Sequence, residues 1–421
     1  MTTWMVGRGQ GLLAALVAAI LLLSAAAGAA AGTATPGPRL AALAVRTNVQ
    51  RDRDNVGSMP EQVTSQMLAA AAPIPSEAVT QEPGSDLGRV PPQVESFEPS
   101  NSTVPANAEV VVTFSQPMAP GTVEASFVIR PSVYGRQSWS DSFTFRFQPF
   151  KLEHATAYEV HVGGRSARGA PLDGRRVWRF TTAAGPPLLL APGPSSVRVP
   201  ILMYHYIRVN QDYRDLLGYA LSVTPANFAA QMNWLASNGF HPITPADLYA
   251  YLSGSRGLPI RPVILSFDDG YADFYDSALP ILRAHDFAAV AYVVSGFIGR
   301  PGYMSAAQIS EADHSGIEIG SHTVDHANLA RMSLDSVRFE LAASKLVLEQ
   351  QLGHPVVSFC YPSGQFNAGV AAAVRTAGYQ NATTTAFGYV HYLSDRYTWS
   401  RLRVSGGESL SNFATALLGA S

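Results

Sequence analysis

The chain has one cysteine, Cys360, in 421 residues, so no intramolecular disulfide can staple it. Charge is scarce as well. Only 14% of residues are charged and the formal net charge is -2, which offers nothing for nucleic acid or for a strongly anionic partner. The first forty residues carry charge only at Arg8 and Arg39. Between them, residues 12–23 are wholly apolar and residues 24–32 are small. Residues 1–32 therefore have the layout of a signal peptide cleaved after Ala29 or Ala31. The apolar run is also long enough to span a bilayer, so an uncleaved membrane anchor is the alternative. Either way the bulk of the chain is exported, to be secreted or held at the cell surface through membrane or cell wall. Without disulfides, such a chain must draw its stability from packing or from a metal.

Beyond residue 32 the chain divides by composition. Residues 33–92 are rich in Ala, Pro, Thr, Ser and Gln, with one short helical stretch over 64–72, and read as a spacer. Residues 93–184 change to short alternating segments at 110–114, 142–147, 158–162 and 177–181, separated by turn residues, as in a β-sandwich. His154 and His161 in this stretch are expected at strand edges. A Pro- and Gly-rich linker covers 185–197. From 198 to 421 strands alternate with helices. Strands are expected at 199–206, 263–267, 288–294, 317–320, 356–361, 381–386 and 399–404. Helices are expected at 225–238, 245–252, 271–285, 305–314, 334–352 and 368–377. Repeated βα units imply a parallel sheet, and about seven strands suggest a closed or nearly closed barrel.

Chemistry gathers at the ends of these strands. Val263-Ile264-Leu265-Ser266-Phe267 is an apolar run that stops at Asp268-Asp269-Gly270. In a parallel barrel the C-terminal ends of the strands share one face. Adjacent carboxylates repel, and a metal ion that takes one of them relieves the repulsion. His322 and His326 are four residues apart just after another strand, one above the other if the segment is a helical turn. With Asp269 they make a His-His-Asp set with an open position, the layout of a catalytic metal site. Asp268 is then placed to take a proton from water, and a histidine can protonate the leaving group near neutral pH. These residues imply metal-assisted hydrolysis of an amide or ester; they do not identify the substrate.

Two resemblances sharpen this. Phe97-Glu98-Pro99, Val112-Thr113-Phe114-Ser115-Gln116-Pro117-Met118 and Phe180-Thr181-Thr182 resemble bacterial Ig-like modules, which implies a spacer or adhesion role. Ser266-Phe267-Asp268-Asp269-Gly270, Ser321-His322-Thr323-Val324-Asp325-His326 and Phe359-Cys360-Tyr361-Pro362-Ser363-Gly364 resemble the motifs of the polysaccharide deacetylase (NodB-homology, carbohydrate esterase family 4) domain. That resemblance implies an α/β fold, a distorted (β/α)7-type barrel preceded here by an all-β Ig-like sandwich. It implies a divalent metal, zinc first with cobalt or nickel as alternatives, and removal of acetyl groups from an N-acetylated polysaccharide. Asp268 matches the catalytic base, and Asp269, His322 and His326 match the metal ligands. The Ser363 backbone N–H matches the oxyanion donor. The family's motif arginine is missing, its place taken by Cys360, and Arg401 or Arg403 is left to orient the base. The late Leu-x-His motif is absent too. The opening Met203-Tyr204-His205 resembles instead the poly-N-acetylglucosamine deacetylase subgroup, which assigns the acid role to His205.

Tyr204, Tyr206, Tyr361 and Phe366 are candidates to line a sugar cleft, with core packing as the alternative. Cys360 has no paired base and is not expected to be a nucleophile. His241, His285, His314, His354 and His391 are read as structural. The substrate expected is an N-acetylglucosamine-containing exopolysaccharide or peptidoglycan. An O-acetyl esterase and a catalytically inactive glycan-binding surface protein are the alternatives.

Overall fold

The computed structural model describes residues 90–212 and 214–420. The expected signal or anchor segment, and the spacer up to residue 89 with its short helix, lie outside the described residues.

The sandwich follows from alternation. In the strand Val110–Phe114, Val110, Val112 and Phe114 are buried while their neighbours are half-exposed. One sheet runs in the order Val94–Glu98, Val110–Phe114, Thr144–Pro149, Gly135–Trp139. The other runs Thr103–Val104, Val177–Thr182, Ala157–His161, Val128–Arg130. Phe114, Phe145, Tyr158, Val160 and Phe180 fill the space between, each fully buried apolar side chain contributing about 1.5–3 kcal/mol. Gly135–Trp139 was not expected as a strand. It has no buried residue, as befits an edge strand with polar Arg-Gln-Ser at its centre.

The barrel has seven parallel strands: β1 (Ile201–Tyr204), β2 (Pro262–Phe267), β3 (Ala289–Val293), β4 (Ile317–Ser321), β5 (Ser358–Cys360), β6 (Asn381–Phe387) and β7 (Trp399–Arg403). Each pairs with the next, and β7 closes the ring on β1 through Leu202↔Leu402. The ring is distorted at two seams. Strands β4 and β5 meet at a single pair, Ser321↔Phe359, and the β6–β7 register slips between Thr383 and Phe387.

Both faces of the strands are covered, so β2 is buried at all six positions. Ile201, Ile264, Val290, Tyr292, Cys360 and Trp399 form one cluster, inside the ring. Leu202, Val263, Leu265, Phe267 and Ala291 alternate with them and pack outward on the helices. Gly320 is required where it stands, because a Cβ there would lie 2.4 Å from the Tyr292 ring.

Five helices lie where expected, at Pro225–Ser237, Pro245–Leu252, Ala306–His314, Leu334–Leu352 and Ala368–Thr376. Each opens on a side-chain cap, from Thr224, Thr244, Ser305, Ser333 and Asn367, and each cap contributes about 1 kcal/mol. The helix expected over 271–285 is divided into a wide turn at Phe274–Ala278 and a helix at Leu279–Ala284. Pro280 has no N–H to continue the ladder there. Elements that were not expected include the short strand His241–Ile243, which pairs with the start of β2; the antiparallel pair Ser196–Arg198 and Val390–Tyr392; the strand Ser222–Val223, which pairs with Tyr206–Ile207; the helix Leu216–Leu221; and the last helix, Leu410–Ala420.

The sandwich rests against the chain segments that lead into β3 and β4, at the N-terminal end of the barrel. His154 Nε2 is 2.8 Å from Asp286 and Arg136 is 2.8 Å from Glu311, which also holds Arg283 at 2.9 Å. The Tyr134 ring stacks on His314 with centroids 3.6 Å apart. His154 is thus a seam residue in a turn rather than a strand-edge one, whereas His161 sits on its strand beside Glu159. No helix of the described residues is long and apolar enough to cross a membrane.

Candidate metal centre and active site

Strand β2 delivers the two carboxylates in opposite directions. Asp269 has φ 77° and Gly270 φ 77°, so the chain reverses as it leaves the strand. Asp268 turns into the barrel mouth and is 4% exposed. There Arg401 of β7 grips it, Nη1 donating to Oδ1 at 2.7 Å and Nη2 to Oδ2 at 2.8 Å. The remaining Arg401 donors go to Thr384 O, Ser266 Oγ and Cys360 Sγ. Burial pushes the Asp268 carboxyl up, but the Arg401 charge and hydrogen bonds outweigh it and hold it well below the usual carboxylate range. Of the two arginines left open by the sequence, the structure places Arg401 on Asp268. Arg403 lines the cleft instead.

Asp269 turns toward the histidines. Its Oδ1 lies 3.3 Å from His322 Nε2 and 3.4 Å from His326 Nε2. The segment between the histidines is not the helical turn that their spacing suggests. Thr323 and His326 have φ 68° and 61°, and the rings meet edge to face, 5.0 Å apart at 70°. The loop is held from outside: Val324 N donates to Glu340 at 2.8 Å, and Thr323 O and Val324 O accept from Ser295 N and Gly296 N.

The donor chemistry fits a divalent transition metal. His322 Nδ1 hydrogen-bonds to Cys360 O at 2.7 Å, which leaves the Nε2 lone pair for a ligand. Asp269 Oδ1 is buried with no hydrogen-bond partner, a costly state that an ion relieves. The three donor atoms lie within 4.8 Å of one another, and two imidazoles with one carboxylate suit zinc, cobalt or nickel. A second grouping, Asp268 with His322 and Cys360, fits less well, since Arg401 already occupies both Asp268 oxygens.

A cleft of about 440 Å3 opens above these groups, lined among others by His205, Tyr206, Tyr271, Ser363, Thr385 and Arg403. His205 Nε2 is 3.9 Å from Asp268 Oδ2. Burial lowers its pKa, against the pull of Asp268 and Asp269. Ser363 sits at φ 54° in the tight turn Pro362–Gly364, and the φ of Gly364 is +67°.

The aromatic candidates divide. Tyr206 lines the cleft, stacked on Tyr271 at 3.9 Å. Tyr204 does not: it is fully buried, its hydroxyl bonded to Gln231 and its ring on Phe267. Tyr361 is also core, its hydroxyl donating to Tyr397 O. Phe366 is partly exposed but stacks on Tyr361 and is not among the cleft's lining residues. The remaining histidines stay out of the cleft; His391, for one, is buried with Nε2 at 2.9 Å from Val199 O. Tyr271, Thr385 and Glu340 were missed. Tyr271 had a signal, since it directly follows Asp-Asp-Gly; Glu340 had none.

Known proteins share this plan. Residues 255–382 match the family model for polysaccharide deacetylase, and residues 88–182 that for a bacterial Ig-like domain. A Bacillus subtilis protein that bears the name of polysaccharide deacetylase, YxkH, is 32% identical over 216 residues, 51% of this chain and 75% of its own length. The poly-beta-1,6-N-acetyl-D-glucosamine N-deacetylase of Escherichia coli K12 is 33% identical over 127 residues, which are 30% of this chain and 17% of that protein. Among solved structures, the Streptococcus pyogenes deacetylase PplD in complex with acetate aligns with a TM-score of 0.50 at 28% identity, covering 52% of this chain and 98% of that one. With its ring of seven parallel strands behind an Ig-like sandwich, the chain belongs to the polysaccharide deacetylase family.

Proposed function

We propose that this protein is an exported, metal-dependent hydrolase that removes N-acetyl groups from an N-acetylglucosamine-containing polysaccharide at the cell surface. One observation carries the proposal: a buried, arginine-held carboxylate and an Asp-His-His set open onto the same cleft. Asp269, His322 and His326 would hold the ion. When bound, it supplies a Lewis acid for water and for the acetamide carbonyl.

The other steps belong to the chain's own groups. Asp268, kept ionised and fixed in direction by Arg401, accepts the proton of the attacking water. The Ser363 N–H donates to the oxygen that gains charge as the carbonyl carbon becomes tetrahedral. The C–N bond then breaks, and His205 supplies the proton that the departing nitrogen needs. Acetate and a free amino sugar result. Tyr206 and Tyr271 border the cleft and offer a wall for the sugar ring. The sandwich, fixed at the opposite end of the barrel, serves as a spacer that presents the cleft outward, beyond the expected linker at 185–197.

The test compares acetate release from N-acetylated and O-acetylated oligomers of the same sugar. Equimolar acetate and free amine from the N-acetylated series supports the proposal. Acetate from the O-acetylated series alone would make the protein an esterase. Release from neither, with retention on the glycan, would make it a binding protein.

A further inference from the structure

Strand β7 aims a second arginine at the site. Trp399 and Arg401 are buried within the barrel, and Leu402 between Arg401 and Arg403 packs outward. By the two-residue period of a strand, Arg403 leaves the C-terminal end on the same face as Arg401, and it lines the cleft. There the likeness ends. Arg401 uses its donors on Asp268, Thr384, Ser266 and Cys360. The Arg403 side chain is exposed to the cleft and makes no hydrogen bond or ion pair with any described residue.

This is not for want of acids nearby. Three carboxylates line the same cleft, and each is engaged elsewhere. Asp268 is held by Arg401, Asp269 faces two histidines, and Asp215 Oδ1 accepts from Gly218 N at 2.9 Å. The Arg403 donors therefore face the solvent-filled cleft. Its planar fork of donors matches a carboxylate that comes from outside. Neutral sugar hydroxyls are served as well by amide or hydroxyl side chains, with no cation to desolvate.

We propose that Arg403 reads a carboxylate on the glycan beside the N-acetyl group to be hydrolysed, so that the substrate class is an acidic amino-sugar polymer. This rests on the deacetylase reading above. The carboxylate has two sources, a lactyl ether on the acetylated ring itself or a uronic acid on the adjoining ring.

Three probes of equal length separate the outcomes: neutral N-acetylglucosamine oligomers, alternating N-acetylglucosamine and N-acetylmuramic acid, and alternating N-acetylglucosamine and glucuronic acid. With the full, metal-loaded chain, one acidic series should exceed the neutral one in kcat/KM by about tenfold, the scale of one charge-assisted contact. Arg403→Gln should remove that preference, chiefly through KM, and Arg403→Lys should keep part of it. The Asp268→Asn protein should show the same ratio in binding affinity, without turnover. Because the readout is a ratio within one variant, a general loss of folding does not imitate it. A parent that favours the neutral series, or a preference that survives Arg403→Gln, overturns the inference alone. So does an equal loss on acidic and neutral probes, which would place Arg403 in the chemistry. Acetate from none of the three overturns the deacetylase reading and this inference with it.

Discussion

Arg401 and Asp268 face each other across the barrel mouth, joined by hydrogen bonds of 2.7 and 2.8 Å with both side chains buried. The pair ties the last barrel strand to the second and fixes the direction of the carboxylate. Such a pair is weak evidence for stability as a whole, yet breaking it on one side is expensive. Arg401→Gln should cost about 3–5 kcal/mol in denaturant unfolding at pH 7. The pH dependence has a definite sign. Asp268 is depressed in the folded state, so its contribution is full above the unfolded carboxylate value of about 3.9 and is lost as pH falls toward the folded one. The gap between parent and variant should therefore narrow steadily below about pH 4. A gap that stays constant from pH 7 to pH 3 would mean that the pair is not what the substitution removed.

Glu340 touches no candidate ligand, yet it accepts from Val324 N in the loop that carries both histidines. Glu340→Ala should weaken zinc binding by about 10–100-fold, the usual effect of removing an outer support. Competitive titration with a chelator measures this directly. Unchanged affinity would show that Ser295 and Gly296 hold the loop without help.

His205 can be tested by changing the leaving group. On an acetamide, His205→Ala should lower kcat by about 10²–10⁴-fold, the range for a lost general acid. On an aryl acetate, whose leaving group departs without a proton, the loss should be small. Equal losses on both would remove His205 from the acid role and leave it a neighbour of Asp268.

Gly364 holds the turn that presents Ser363. An added Cβ would lie 2.7 Å from Thr385 N and closer still to its hydroxyl, at a φ of +67°. Gly364→Ala should cost about 1–3 kcal/mol of stability and reduce kcat more than it raises KM. Gly353, at φ +78° with open space around it, is the control: alanine there should lower stability without touching kcat.

The parts most legible in the sequence were those where pattern and chemistry coincide. An apolar run that ends in Asp268-Asp269 marks a buried strand and the end that borders the cleft together, and the seven strands obey the same logic. Tyr204 misled because a barrel strand is buried on both faces, and Tyr361, just past the end of β5, is buried as well. Composition does not say which alternate position points inward, and here both tyrosines pack in the outer layer. The His322–His326 spacing suggested a helical turn, but Thr323 and His326 take left-handed conformations that spacing alone does not reveal. Arg401 and Arg403 were equivalent in sequence. Only the closure of β7 on β1 shows that one reaches Asp268 and the other lines the cleft.

The most direct test of the central claim is acetate release from N-acetylglucosamine-containing oligomers by the full chain, stripped by a chelator and then resupplied with zinc, cobalt or nickel. The account predicts loss on chelation, recovery with added metal, and no recovery in Asp268→Asn or His326→Ala. Acetate release that persists at full rate in the stripped protein, or in a folded Asp268→Asn variant, would contradict it.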